Sequence, residues 1–440
     1  MDFGRPRGRW AARRRPRRRG ALPAQGGSAV NGFDALFARA GDALVAVGRS
    51  SDDPEGFART LLGTLAEPGD GVMGRAIAHV GAVATAQTLL GRPDPAALAA
   101  ILPPEAAAAP KTVADALERW MPRLDPDAYL RSLAQATRVG ARLLLPDDRH
   151  WPVGVDDLGV HVPIALWVRG RTSAVAPMTP SIALVGARAA TGYGEHMAIE
   201  AAAGLVDRGF TIVSGGAYGI DGMAHRSALR SDGDTVAFLA GGIDRFYPLG
   251  HEDLLTRIVQ TGAVLSEVPC GSAPTKWRFL QRNRLIAAAS GATVVIEAGR
   301  RSGSLNTANH AAELGRPVGA VPGPVTSPAS AGCHRLLRES DAVCVVDADQ
   351  MAELAGGAGG FGAVALFDDP TEAAPRARGV HPDTVRVLDA LSSRAPRTLD
   401  DVARRAGVEP RRVMAVLGAL EAEGRVARHP SGWVARRLAG

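Results

Sequence analysis

From Ser181 to Val346 the apolar residues fall in short β-branched runs, "SIALV", "FTIV", "TVAFL", "AVLS", "TVVIEA", "PVGAV" and "AVCVV". Between them lie stretches such as "GEHMAIEAAAGLVDRG" and "LNTANHAAELG", whose apolar positions recur at helical spacing. Strand runs alternating with helices predict an α/β fold, a doubly wound parallel sheet over residues 141–347. In such sheets ligands collect at the carboxyl ends of the strands. Ahead of it, residues 31–140 are rich in Ala and Leu at helical spacing, as in "ADALERW" and "DAYLRSLAQATRVG", and predict a small helical domain. Its "PGDGVMGRAIAHVGAVATAQTLLG" reads as a structural module and not as a backbone clamp on DNA. "LLLPDDRHWPVGVDDLGVHVPIALWVRG" reads as a Pro-punctuated connector closing on a strand from Ala165 to Val168.

Residues 348–380 are rich in Gly and Ala and read as a linker. Beyond it the pattern changes again: "DTVRVLDAL", "TLDDVARRAGV" and "EPRRVMAVLGALEAEG" predict three helices, and "RVARHPSGWVARR" a hairpin with its tip at Pro430–Gly432. Three helices and a two-stranded wing make residues 381–440 a winged-helix domain. Reading of duplex DNA through Arg411 and Arg412 stays open, since many such domains serve as protein contacts.

Charge changes the picture once it is located. The chain of 440 residues carries +6, but its first twenty residues hold nine arginines against one aspartate, and residues 380–440 hold eleven arginines against seven acids, which leaves residues 21–379 at −6. A basic cluster within that acidic middle is therefore a local event. Residues 1–30 read as a disordered, solvated Arg-rich arm without the apolar segment of a secretory signal. Cys270, Cys333 and Cys344 are widely spaced and form no CxxC, so neither a disulfide framework nor a metal site is expected. No apolar run approaches ~18 residues, so no membrane span is expected either. The expectation is a cytoplasmic protein without cofactor.

The candidate chemistry gathers at the strand ends. "VGARAATGYG" places Gly186 and Arg188 in the first turn, ahead of a helix starting near Gly192, where small residues let N–H groups approach an anion. It lacks the GxGxxG of a dinucleotide site, and Ser214 and Gly215 stand where an acidic ribose partner would end the second strand. The loops "SGGAYGID" (Ser214, Gly215, Gly216), "AGGID", "RRSGSLNTA" (Ser302, Gly303, Ser304, Thr307) and "VPGP" repeat the same pattern. Together they predict a crevice of glycine, hydroxyl and arginine suited to phosphates and poor in general bases. Asp221 reads as a helix N-cap and His225, one turn later, as a packing or capping partner, not as catalytic groups.

The stretch "TKWRFLQRNR", Thr275–Arg284, holds one of only two lysines in the chain, three arginines and no carboxylate. A helix over 274–290 puts Lys276, Phe279 and Asn283 on one face, with Arg278 and Arg282 on the adjacent stripe. Cation and ring on one exposed face suit single-stranded nucleic acid: charge for phosphates and a π-surface for unstacked bases. Trp277 reads as a core residue, and Phe279 as either core or surface.

In this order, "VGARAATGYG", "SGGAYGIDGMAHRSAL", "YPLGHEDLL", "SEVP", "FLQRNRLIAAAS" and "SGSLNTANHAAELGRPVGAVPG" resemble the DprA/Smf DNA-processing proteins, across roughly 145–345. The resemblance implies an extended Rossmann-like domain flanked by an N-terminal SAM-like helical domain and the winged helix. It implies a homodimer that binds and protects incoming single-stranded DNA and loads a RecA-type recombinase onto it, in natural transformation and homologous recombination, with no catalytic residue. Carried over by motif, the DNA pocket comprises Gly186, Arg188, Thr191, Lys276 and Phe279, supported by Arg282, Asn283 and Arg284. Thr191 stands where Ser is common in that family, Leu280 where Pro is usual, and His251 and His334 where Asn is frequent.

Two alternatives are defined by their chemistry. Phosphoribohydrolases of related architecture cleave nucleoside monophosphates with the Glu of a PGGxGTxxE signature; "RRSGSLNTANH" aligns Thr307 with its threonine and places His310 where the Glu is needed. A duplex-binding regulator would act through the winged helix alone.

Overall fold

Strands β1 (Arg142–Leu144), β2 (Leu166–Gly170), β3 (Ser181–Gly186), β4 (Thr211–Ser214), β5 (Thr235–Phe238), β6 (Ala263–Ser266), β7 (Ala292–Glu297), β8 (Val318–Ala320) and β9 (Val343–Cys344) form one sheet. Its order is β1-β2-β6-β5-β4-β3-β7-β8-β9. The structure, a computed structural model, describes residues 27–175, 180–356, 384, 387–388, 390–392, 395–406 and 410–436. Most of the Arg-rich arm, most of the linker, part of the helix expected over 383–391 and the side chain of Arg411 lie outside the described residues.

From β6 to β9 every pairing is parallel, while β1 pairs antiparallel with β2 and β2 antiparallel with β6. All seven runs read as parallel strands are found. The connector reading is corrected at Leu143 and Leu144, which belong to the edge strand β1; three residues are too few for hydrophobic period to register. Along the strands, alternate residues enter different cores. Ile182 and Leu184 of β3, with Val294 and Ile296 of β7, bury against Ala198, Leu205 and Ala224, while Ala183, Val185 and Val295 bury with Leu285, Ile286 and Leu305 on the other face. Covering both faces explains why these strands read as unbroken apolar runs.

The amino-terminal region is helical: α1 (Gly27–Ala46), α2 (Pro54–Leu65), α3 (Gly71–Val80), α4 (Ala82–Leu90), α5 (Pro95–Ala99), α6 (Pro104–Ala107), α7 (Pro110–Trp120) and α8 (Pro126–Arg138). Phe57 lies at its centre, with ring centroids of Phe33 at 4.8 Å and Tyr129 at 5.7 Å. The same buried cluster takes in Leu143, Trp167, Ala237, Val264 and Leu255, so these helices share a core with one side of the sheet. A Cβ on Gly74 of α3 would fall 1.8 Å from the Val160 carbonyl oxygen, so this glycine lets α3 seat against the connector.

The sheet is flanked by α9 (Gly192–Asp207), α10 (Ile220–Arg230), α11 (Glu252–Thr261), α12 (Lys276–Ala289), α13 (Ser304–Glu313), α14 (Ala331–Glu339) and α15 (Ala348–Leu354). The chain runs from β3 through β6 in one direction and then returns to lay β7 on the other flank of β3. The loops after β3 and β7 thus border the topological switch point.

Residues from 365 onward form a separate unit. Within it α16 (Leu399–Ala406) and α17 (Pro410–Ala422) precede the antiparallel wing of β10 (Val426–His429) and β11 (Gly432–Ala435). Val402, Val413, Leu417, Leu420, Val426 and Trp433 are buried together, and Arg428 lies 5.9 Å from the centre of the Trp433 ring. Among the described residues no helix is long and apolar enough to cross a membrane.

Candidate nucleic-acid interface

Helix α12 starts at Lys276, just inside the span expected from the helical spacing. Thr275 is extended at φ −125°, ψ 162°, and its hydroxyl accepts the Arg278 N–H at 3.2 Å, which caps the first turn. Lys276 is therefore the first helical residue, exposed at the end of the loop that follows β6. Phe279 is half-buried one turn on. Leu280, in place of the family's usual Pro, continues the helix without a break.

The exposed Arg188 reaches Phe279 from the loop after β3. Its guanidinium carbon sits 5.0 Å from the ring centroid, and that of Arg282 lies 5.8 Å away. The turn that delivers Arg188 depends on Gly186, where a Cβ would come within 2.5 Å of Ile220 and 2.8 Å of the Glu297 carbonyl oxygen. Phe279 also meets Tyr247, with centroids 5.7 Å apart and planes inclined at 59°. The structure thus brings Arg188, Phe279 and Arg282 together, with Lys276 at the head of the same helix. Tyr247 was missed; its signal was a tyrosine placed before Pro248 in a strand-end loop.

The triplet after Phe279 is largely engaged inside the protein. Arg282 is 7% exposed and donates through Nη1 to the carbonyls of Gly215 at 2.6 Å and Phe238 at 2.7 Å. Burial lowers its guanidinium to about 10; Asp221 opposes that shift and Arg188 adds to it. Asn283 donates to the Gly303 carbonyl and to Asn306 Oδ1, both at 3.3 Å, tying α12 to the start of α13. Arg284, 4% exposed, is held by both oxygens of Glu267 at 2.7 and 2.9 Å and by the His161 carbonyl at 2.9 Å. The expectation that Arg284 supports the DNA pocket is corrected: it is the cation of a buried ion pair. Arg278 likewise binds Glu67 bidentately, at 2.9 and 2.8 Å. Trp277, read as core, is 54% exposed, in a stretch where Thr275 and Lys276 are exposed as well.

The glycine loops divide in the same way. Ser214 is fully buried and donates to the Leu184 carbonyl at 2.6 Å. Gly215 gives its N–H to Asp221 at 3.1 Å while its carbonyl takes Arg282, and a Cβ there would fall 1.9 Å from Arg282 Nη1. Gly216, at φ +66°, presents its carbonyl to His251 Nδ1 at 3.0 Å. Ser214 and the Gly215 N–H are therefore turned inward, a correction to the phosphate-loop reading at those two residues. Ser302 and Ser304 hydroxyls pair with each other at 2.8 Å, Gly303 is exposed, and Thr307 is 1% exposed within α13. His310, at the position where a hydrolase would need Glu, contacts Glu313 at 3.3 Å.

At the switch point Thr191 caps α9, its hydroxyl accepting the Gly194 N–H at 3.2 Å. The carboxylate of Glu297, 2% exposed at the end of β7, takes the Thr191 N–H and hydroxyl. Its signal was a lone acid closing the apolar run "TVVIEA".

Asp221 does not cap α10, whose N-cap is Gly219; it sits inside the first turn and accepts the N–H groups of Gly215 and Ala217, bracing the loop before it. Burial raises its carboxyl and nearby Arg282 opposes the rise. His225 is fully buried against the Thr235 hydroxyl at 2.7 Å.

A model of the family described as DNA recombination-mediator protein A matches residues 142–356, and one described as DprA winged helix domain matches residues 371–432. The chain is 47% identical over 315 residues to the DNA processing protein DprA of Mycobacterium tuberculosis, covering 69% of this chain and 79% of that one. It is 36% identical over 280 residues to the protein Smf of Escherichia coli, covering 63% and 73%. The X-ray structure of DNA processing protein A from Streptococcus pneumoniae aligns with a TM-score of 0.54 at 28% identity, over 68% of this chain and 97% of that one.

Proposed function

The chain belongs to the DprA/Smf family of DNA-processing proteins, and from that premise we propose that it binds single-stranded DNA along the sheet edge bearing Arg188, Phe279 and Lys276. The observation that carries this reading is the exposed Arg188 guanidinium lying 5.0 Å over the half-buried Phe279 ring. A cation within reach of a phosphate beside a π-surface matches an unpaired strand, whose bases are free to stack. In a duplex the same bases face one another and offer no such surface. Gly186 and Thr191 shape the turn that presents Arg188, and Arg282 and Asn283 hold α12 beneath the ring.

On this reading the protein works by holding the strand and performs no bond cleavage. Held strands would be shielded and passed to a RecA-type recombinase during natural transformation and recombination, with two copies of the chain acting as a homodimer. A gel-shift titration with single-stranded and duplex oligonucleotides of one sequence, at two salt concentrations, tests the core of the proposal. Tighter binding of the single strand supports it, and equal or tighter binding of the duplex overturns it in favour of the winged helix.

A further inference from the structure

We infer that Tyr247 is a second base-stacking ring, forming with Phe279 an angled platform for two successive unpaired bases; this rests on the single-strand reading above. Tyr247 lies in the loop after β5 and is 48% exposed, which makes it the more open ring of the pair. Phe279 is already faced by two guanidinium groups, Arg188 at 5.0 Å and Arg282 at 5.8 Å.

The geometry defines how a strand would use the pair. The centroids are 5.7 Å apart and the planes inclined at 59°. Sandwiching a base needs parallel rings separated by about twice the ~3.4 Å rise of stacked bases, so no base enters between them. Each ring instead offers a face to its own base, and the inclination turns one base against the next. A single strand follows such a bend by rotating its backbone, whereas paired bases would have to unstack. Arg188 and Lys276 stand beside the platform for the intervening phosphates.

The loop that carries Tyr247 is pinned independently of its ring. Pro248, the next residue, gives its carbonyl to the His251 N–H at 2.9 Å, and the buried His251 is tied through Nδ1 to the Gly216 carbonyl at 3.0 Å. Tyr247 is thus a large ring left open on a held loop, and its ring contact is with the other candidate stacking residue.

The test compares Tyr247→Ala and Tyr247→Phe with the parent, using an oligothymidylate and an abasic oligonucleotide of the same length. The alanine variant should bind oligothymidylate roughly 5- to 150-fold more weakly, the range for loss of one stacked base. It should bind the abasic strand as the parent does, with the salt dependence of both unchanged, and Tyr247→Phe should behave as the parent. Parental affinity of Tyr247→Ala for oligothymidylate, or an equal loss on both strands, overturns the inference. Arg188→Ala separates the two levels: if it weakens binding while Tyr247→Ala does not, only the second ring is lost. If the parent shows no preference for single strands, the site itself falls.

Discussion

Glu297 reaches from the end of β7 to the N-cap of α9, where one carboxylate oxygen accepts the backbone N–H of Thr191 at 2.8 Å and the other its hydroxyl at 2.7 Å. In doubly wound sheets this crevice, between the first strand and the strand on its far flank, is where a nucleotide phosphate commonly meets a helix N-terminus. Here the protein places its own carboxylate there. A Cβ on Gly194 would come within 2.4 Å of that carboxylate, so the fit extends into the first turn of α9.

This contact predicts that nucleoside monophosphates neither raise the melting temperature of the protein nor yield free base when incubated with it. Glu297→Ala removes two charge-assisted bonds made by a buried carboxylate to the N-cap of α9, which should cost about 2–4 kcal/mol of unfolding free energy in urea titrations. Glu297→Gln keeps one acceptor and should lose less. Unchanged stability of the alanine variant would contradict the bracing role.

Arg284 gives a second stability prediction. It and Glu267 are 4% and 9% exposed in their side chains, so removing one charge strands the other in the interior. Arg284→Met should destabilise the fold by roughly 3–5 kcal/mol. Titrated below its melting temperature, the variant should retain the parental slope of log K against log[salt] for single strands. A shallower slope would return Arg284 to the DNA.

The division between what was and was not legible in the sequence follows from the range of the interactions. The seven parallel strands were readable because burial on both faces leaves unbroken β-branched runs, and α12 because Thr275 and the helical spacing are local. Arg188 and Phe279 could be named from motif and composition, but their contact spans two loops on different strands. Arg282 and Arg284 read as support for the DNA pocket, and their internal partners, the Gly215 and Phe238 carbonyls and Glu267, were not legible because they are set by tertiary distance. Asp221 looked like a cap since it stands near a helix start, yet the N–H groups it accepts lie in the loop before that start.

Acid sensitivity is predicted from His225. Thr235 Oγ1 donates to the Ile212 carbonyl at 2.9 Å and so accepts from His225 Nδ1–H at 2.7 Å, leaving Nε2 buried without a partner. Burial, reinforced by His251, Arg282 and Arg226, pushes this imidazole from its ordinary 6.5 down to about 3. Between those values the unfolded chain takes up a proton that the folded chain refuses, so stability is complete above about 6.5 and falls as pH drops towards 3. The slope should approach ~1.4 kcal/mol per pH unit from this group. Urea midpoints measured from pH 7.5 to 4.5 check it, and His225→Gln should flatten part of the fall.

Phosphate contact and stacking leave different signatures. Arg188→Ala and Lys276→Ala should each weaken single-strand binding and flatten the salt slope by roughly 0.7 per lost phosphate contact. If both variants keep the parental slope, the strand does not pass this edge.

Phe279→Ala should weaken binding by roughly 1–3 kcal/mol through lost stacking, with no direct loss of charge. Yet Arg188 rests on that ring at 5.0 Å, so the two residues are not independent. Removing the ring frees the guanidinium to sample other rotamers, and part of the Arg188 contribution goes with it. The double variant should therefore lose less than the sum of the single losses, by about 0.5–1 kcal/mol, the scale of an exposed cation–π contact. A double-mutant cycle on a fixed oligothymidylate at one salt concentration measures this coupling. Strict additivity would mean that the ring and the guanidinium engage the strand separately, and the cation-over-ring arrangement would then have no part in binding.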